Sequence, residues 1–198
     1  MRSQIVIAFA AATLSSALLA GCGMQVSEKK NSEGGKNVSI NTPMGGMDVK
    51  TDKVEAKDTG LPVYPGARIL PREENNEQKA NVKIETPWFG LKVVAIGYES
   101  DDPPEKIWDF YKKEMAKYGR VLGCKPGSTD LDIKKKDKDD LTCQENDDDK
   151  HHFQIHDGDM ELKVGTESRQ RVVGIKPKGK VTQFHLVYVV TRGTDDSI

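Results

Sequence analysis

"DDPPEKIWDFYKKEMAKYG", Asp101–Gly119, is the stretch on which the fold reading turns. Ile107, Tyr111, Met115 and Tyr118 fall at i, i+4, i+8 and i+11, which lines one side of a helix with apolar groups. Lys112, Lys113 and Lys117 gather in the C-terminal half, where the backbone dipole favours cations, and Gly119 stops the helix. At the other end Asp102 reads as the N-cap, with Pro103 and Pro104 in the first turn and Glu105 completing a capping box. The pattern predicts one main amphipathic helix over about 103–118. Its apolar stripe has to be buried against something, and the flanking sequence supplies strands.

On the C-terminal side, "RVLGC" (120–124), "MELKV" (160–164), "RQRVVGIKP" (169–177) and "VTQFHLVYVV" (181–190) have strand composition. Met160, Leu162 and Val164 alternate with Glu161 and Lys163, which gives that strand one wet face. Phe184–Val190 is apolar on both faces and reads as a central, covered strand. "HFQI" before the "HDGD" turn is expected to pair with "MELKV". One helix and many antiparallel strands define an α+β fold, with the helix packed on one face of the sheet.

On the N-terminal side there is an internal repeat. "NVSINTPMGGMDV" (37–49) and "NVKIETPWFGLKV" (81–93) align without gaps, with Asn, Val, Ile, Thr, Pro, Gly and Val at matching places. Each copy reads as two alternating strands joined at a Thr-Pro turn. Two copies are too few for a solenoid, so duplication of a sheet element is the reading taken. Trp88 and Phe89 stand at the second tip where the first has Met44 and Gly45, and an apolar exposed tip is a candidate partner contact.

Between the copies, "GLPVYPGARILPRE" (60–73) carries three prolines and two glycines, which impose an extended, kinked path. "YPGA", followed some forty residues on by "PPEKIWDFYKKEMAKYG", resembles a domain of uncharacterised exported bacterial proteins, in which such a turn and a strand precede a helix with an "FYK" element. The resemblance covers about 61–192. It implies the α+β fold and brings no catalytic residues.

The chain starts with one positive charge at Arg2 and runs apolar from Ile5 to Ala20, then turns polar, which has the form of a signal peptide. The run is followed by small residues and a hydrophilic stretch rather than a charged stop, which favours cleavage over a retained span. Leu19-Ala20-Gly21-Cys22 resembles the lipobox of bacterial lipoproteins. That resemblance implies lipidation of the Cys22 sulfur, removal of 1–21 and acylation of the new terminus; two or more acyl chains hold a protein on a bilayer where one does not. Gly23 rather than Asp after the cysteine implies, in the sorting pattern of that family, an outer-membrane destination facing the periplasm. "GMQVSEKKNSEGGK", 23–36, is poor in apolar residues and reads as a flexible tether. The expected organisation is a signal peptide over 1–21, a tether over 22–36, an N-terminal hairpin over 37–60 and an α+β domain over 61–194.

Only Arg2 leaves with the signal, so 29 basic residues face 31 acidic ones in the mature chain. That balance leaves no basic footprint for nucleic acid, and no nucleic-acid partner is expected. Besides Cys22 there are two cysteines, Cys124 and Cys143, an even pair in a chain bound for an oxidising compartment, which reads as a disulfide. "DDDKHHFQIHDGDME" (147–161) offers His152, His156, Asp157 and Asp159 as weak candidates for a metal. It has neither EF-hand spacing nor H-E-x-x-H, and Asp-Gly at a hairpin tip is the commoner explanation, so no metal and no cofactor is assigned. G-x-S-x-G, P-loop and G-x-G-x-x-G patterns are absent, and no catalytic residue is singled out. The expectation is a lipid-anchored envelope protein with a non-catalytic binding or structural domain, held to the membrane at Cys22 and engaging an envelope protein. The alternative is a metal-dependent or hydrolytic enzyme using the Asp/His hairpin.

Overall fold

A computed structural model of the chain describes residues 24–30, 36–51, 53–71, 79–125, 141–143 and 159–193. The strands are β1 (Gln25–Lys30), β2 (Lys36–Thr42), β3 (Gly45–Lys50), β4 (Arg68–Ile69), β5 (Lys79–Glu85), β6 (Gly90–Ser100), β7 (Leu122–Cys124), β8 (Met160–Thr166), β9 (Arg169–Lys178) and β10 (Val181–Arg192), with one helix, α1 (Pro104–Met115). They form one antiparallel sheet in the order β1-β2-β3-β5-β6-β10-β9-β8-β7, with β4 also on β6. The α+β class follows directly from this architecture.

The repeat is built as two hairpins with the same register. Val38 pairs with Val49 and Ile40 with Met47; 44 positions on, Val82 pairs with Val93 and Ile84 with Leu91. Each turn is closed by its threonine: Thr42 Oγ1 donates to the Gly45 carbonyl at 2.8 Å, and Thr86 Oγ1 to that of Phe89 at 3.1 Å. β3 and β5 pair, so Val49 lies between Val38 and Val82, and Met47 between Ile40 and Ile84. The boundary expected near residue 60 therefore does not divide the sheet. Nor are 22–36 wholly a tether: Gln25–Lys30 pairs with β2 residue by residue as the edge strand. A polar strand lacks the apolar composition that marks strands in sequence, but its backbone donors and acceptors still complete the edge of β2.

α1 lies on β8 and β9. It buries Ile107, Trp108, Tyr111 and Met115, while Tyr118, in the 3₁₀ turn that continues it, is largely exposed and donates a hydrogen bond to the Gly60 carbonyl. The Trp108 ring rests on β7 at Gly123, where a Cβ would come within 2.7 Å of it. The expected cap is corrected: the N-cap is Pro103, and no side chain caps the helix. Pro103 and Pro104 have no N–H for Asp102 to accept. Its carboxylate instead takes Lys106 Nζ at 2.8 Å and Tyr64 Oη at 2.9 Å.

The "YPGA" and "FYK" motifs meet. In the turn, Ala67 N donates to the Tyr64 carbonyl at 3.0 Å, with Pro65 and left-handed Gly66 (φ 75°) as its central residues, the pattern of a type II turn. Tyr64 N donates to Tyr111 Oη, which donates onward to the Pro62 carbonyl, each at 3.1 Å. Tyr64 meets Phe110 edge-on, and Phe184 of β10 lies against both Tyr64 and Tyr111. The proline-rich segment is thus a lid on the core, fastened to the helix.

Apolar residues change sides across the sheet. In β6, β10, β9 and β8 the residues facing the helix form the core, among them Val94, Ile96, Phe184, Leu186, Val173, Ile175 and Leu162. In β1, β2, β3 and β5 the same face carries Asn, Ser and Lys, and the apolar residues point to the far face. β10 is central, as expected, but α1 and the proline-rich segment cover only one of its faces; Val187 and Val189 on the other are half-exposed.

Candidate interaction surface

Two rows define the far face. Val26, Ile40, Met47, Ile84 and Leu91 pair in succession across β1, β2, β3, β5 and β6. Val38, Val49, Val82, Val93 and Val189 do so across β2, β3, β5, β6 and β10. At a strand spacing of about 4.8 Å and about 6.8 Å per two residues, ten such sites cover about 330 Å². A contiguous apolar patch of that size on a soluble domain marks an interaction site more often than scattered exposed residues do. Val26 is 61% exposed and Met47 36%, and the rest of the rows are half-buried by their neighbours.

The hairpin tips stand at the end of these rows. Trp88 is 63% exposed, and Met44, its equivalent in the first copy, 59%. Phe89 is half-buried, its N–H held by Thr86 Oγ1 at 2.9 Å. Between the tips, on the helix side of the sheet, opens a shallow depression lined by Asn41, Met44, Asp48, Lys83, Glu85 and Arg192 among others. Within it the Glu85 carboxylate pairs with Lys83 Nζ at 3.0 Å, and Asp48 stands opposite Lys83 on the neighbouring strand. What it offers is hydrogen bonds and charge beside two apolar prongs.

Cys124 and Cys143 are joined, with a Cα–Cα distance of 5.4 Å. The bridge sits on the far face at the β7 edge, beside Lys163, whose ammonium reaches Glu161 at 3.2 Å and the Thr142 carbonyl at 3.5 Å. Cys22, His152, His156 and Asp157 lie outside the described residues. Asp159 is described, and Lys176 Nζ stands 3.4 Å from its carboxylate. Among the described residues no three His, Cys, Asp or Glu side chains gather as a metal site, and no helix is long and apolar enough to cross a membrane. His185 lies on the far face opposite Gly97 and Gly174; burial holds its pKa below the ordinary 6.5.

Met44 and the far-face rows were not singled out from sequence. The signal was present: Val38/Ile40 and Val82/Ile84 alternate with polar residues in both copies, and alternation assigns each set to one face. Which of the two faces the helix covers depends on the parity of β6 and β10, where both faces are apolar. No protein-family model, curated protein or solved structure matches the chain.

Proposed function

We propose that the chain is a lipid-anchored bacterial envelope protein whose α+β domain is a non-catalytic binding module, gripping a protein partner with its hairpin tips and the adjoining apolar sheet face. The observation that supports this is the apolar face on the side of the sheet away from the helix, with Met44 and Trp88 exposed at the hairpin tips beside it. A hydrolase or metalloenzyme needs convergent groups in a cleft; a module needs a dry patch with a polar rim. The lipobox resemblance at Leu19–Cys22 supports the anchor. Three residue steps separate Cys22 from Gln25, about 10 Å at full extension. The anchor therefore holds the β1 edge of the sheet close to the headgroups.

Photo-crosslinkers placed at Met44, Met47 and Trp88 in whole cells test the reading, with Lys112 on the exposed side of α1 as control. The three sheet positions should capture one common protein that Lys112 does not. Products that do not differ between the sheet and helix positions would refute it.

A further inference from the structure

The helix-side face of β1, β3, β5 and β6, with the adjoining ends of β9 and β10, has a property that net charge conceals. Lys29, Lys50, Lys83, Lys92, Arg169 and Arg192 all lie on it and all are exposed. Among the described residues two carboxylates share that part of the face, Asp48 and Glu85. Glu85 pairs with Lys83 at 3.0 Å; the other five cations hold no ion pair among the described residues. Lys83 and Lys92 are also directly opposite on neighbouring strands, with Glu85 and, across on β3, Asp48 as the acidic neighbours of Lys83. The first copy of the repeat has Ser39 opposite Asp48 at the equivalent place. Two lysines thus stand in the second copy where the first has a neutral and an acidic residue, which shifts this part of the face toward positive charge.

We infer that this basic face lies against an anionic phospholipid surface and sets the orientation of the domain on its membrane. The inference rests on the anchor proposed at Cys22: a lipid-held domain meets headgroup phosphates at high local concentration, and a basic patch is the second signal that makes such attachment stable. Charge complementarity commits the face to phosphate, since lysines and arginines spread over six strands suit a surface of mobile anions. The depression between the hairpin tips takes in only Lys83 and Arg192 of the six, and it holds Asp48 and Glu85 as well. α1 stands proud of β8 and β9, so the sheet leans on the bilayer through β1–β3, the side nearest Cys22. The apolar far face, with its partner-binding rows, then faces away from the membrane.

All described elements lie after residue 23, so the chain from residue 22 with Cys22→Ser folds without the lipid. Its partition onto phosphatidylcholine vesicles with and without phosphatidylglycerol is the test. Binding to the anionic vesicles alone is expected, released as NaCl rises from about 50 mM to about 500 mM. Each lysine at the surface contributes about fivefold, so Lys50→Gln/Lys83→Gln/Lys92→Gln should weaken partition on the order of 100-fold. Lys176→Gln, on the far face of the sheet, should stay within about twofold. Equal binding to neutral vesicles, a triple variant that binds as before, or retention of DNA or an acidic protein with no vesicle binding each overturns the inference. Should the triple variant misfold, the salt titration of the unsubstituted chain still decides. The anchor is read separately, from the mass of residue 22 in host membranes. An unmodified Cys22 removes the anchor and leaves the vesicle result standing.

Discussion

Replacing Tyr111 by Phe removes one oxygen from the junction between the helix and the proline-rich segment. Tyr111 is fully buried, and its hydroxyl accepts from Tyr64 N and donates to the Pro62 carbonyl. Burial keeps that phenol far above its ordinary pKa of 10.0, so it stays a neutral donor at any working pH. A net hydrogen bond contributes about 1 kcal/mol, but a buried partner left unpaired costs about 1–3 kcal/mol. Two backbone groups lose their partner here, and the ring keeps its packing against Phe184 and Phe110. The expected loss is about 2–3 kcal/mol, a fall in Tm of about 5–10 °C for a domain of this size. Urea melts followed by far-UV circular dichroism should show the same slope and an earlier midpoint. Tyr64→Phe is the internal comparison, because its hydroxyl reaches Asp102 in a partly exposed place, and its loss should stay below about 1 kcal/mol. A Tyr111→Phe loss under about 0.5 kcal/mol would show that the proline-rich segment is held by packing alone, and the account of the junction would fail.

Reducing the Cys124–Cys143 bridge, or Cys124→Ser/Cys143→Ser, should cost about 3 kcal/mol in a urea melt, from the entropy of the loop it closes. Gly123→Val drives a side chain into the Trp108 ring; a loss of about 1–3 kcal/mol with a red-shifted indole emission is expected. Lys106 and the Tyr64 hydroxyl hold the Asp102 pKa below the ordinary 3.8, and Arg68 does the same for Asp101. A carboxylate with a depressed folded pKa adds stability that is present above 3.8 and lost as pH falls through the folded value. Urea midpoints should therefore decline on acidification below the carboxylate range, and less steeply in Asp101→Asn/Asp102→Asn. Lys83→Ser/Lys92→Asp gives the second hairpin the polar pair of the first. Thermal melts should show stability unchanged or raised by a few tenths of a kcal/mol, and vesicle binding should drop.

The helix was legible because three of its four stripe residues meet the core at helical spacing, and the hairpins because Thr-Pro turns separate alternating runs. The disulfide followed from the two cysteines that remain once Cys22 is set aside for the lipobox. What the sequence hid were competitions between distant groups. Asp102 has the composition of a cap, yet Tyr64, 38 residues earlier, and Lys106 claim its carboxylate while two prolines remove the donors it would accept. Gln25–Lys30 is too polar to announce itself as a strand, and only the unpaired edge of β2 gives it a place. Charge balance misled in the same way: a near-zero total is compatible with one strongly basic face, because strand parity separates residues that composition averages.

Duplication explains why both faces of the N-terminal half are so uniform. Each copy alternates Val or Ile with polar residues, and the second copy pairs with the first in the register the first uses internally. Alternation along one strand then becomes stripes across several: Val38–Val49–Val82–Val93 on the far face, and Ser39–Asp48–Lys83–Lys92 on the helix side. The apolar positions carry Val in both copies, as rows that pack side by side require. The polar positions are free of packing, and there the copies differ, Ser39 and Asp48 against Lys83 and Lys92. One hairpin, copied once, thereby yields an apolar face and a charged face, and the sheet keeps the two apart by its own thickness.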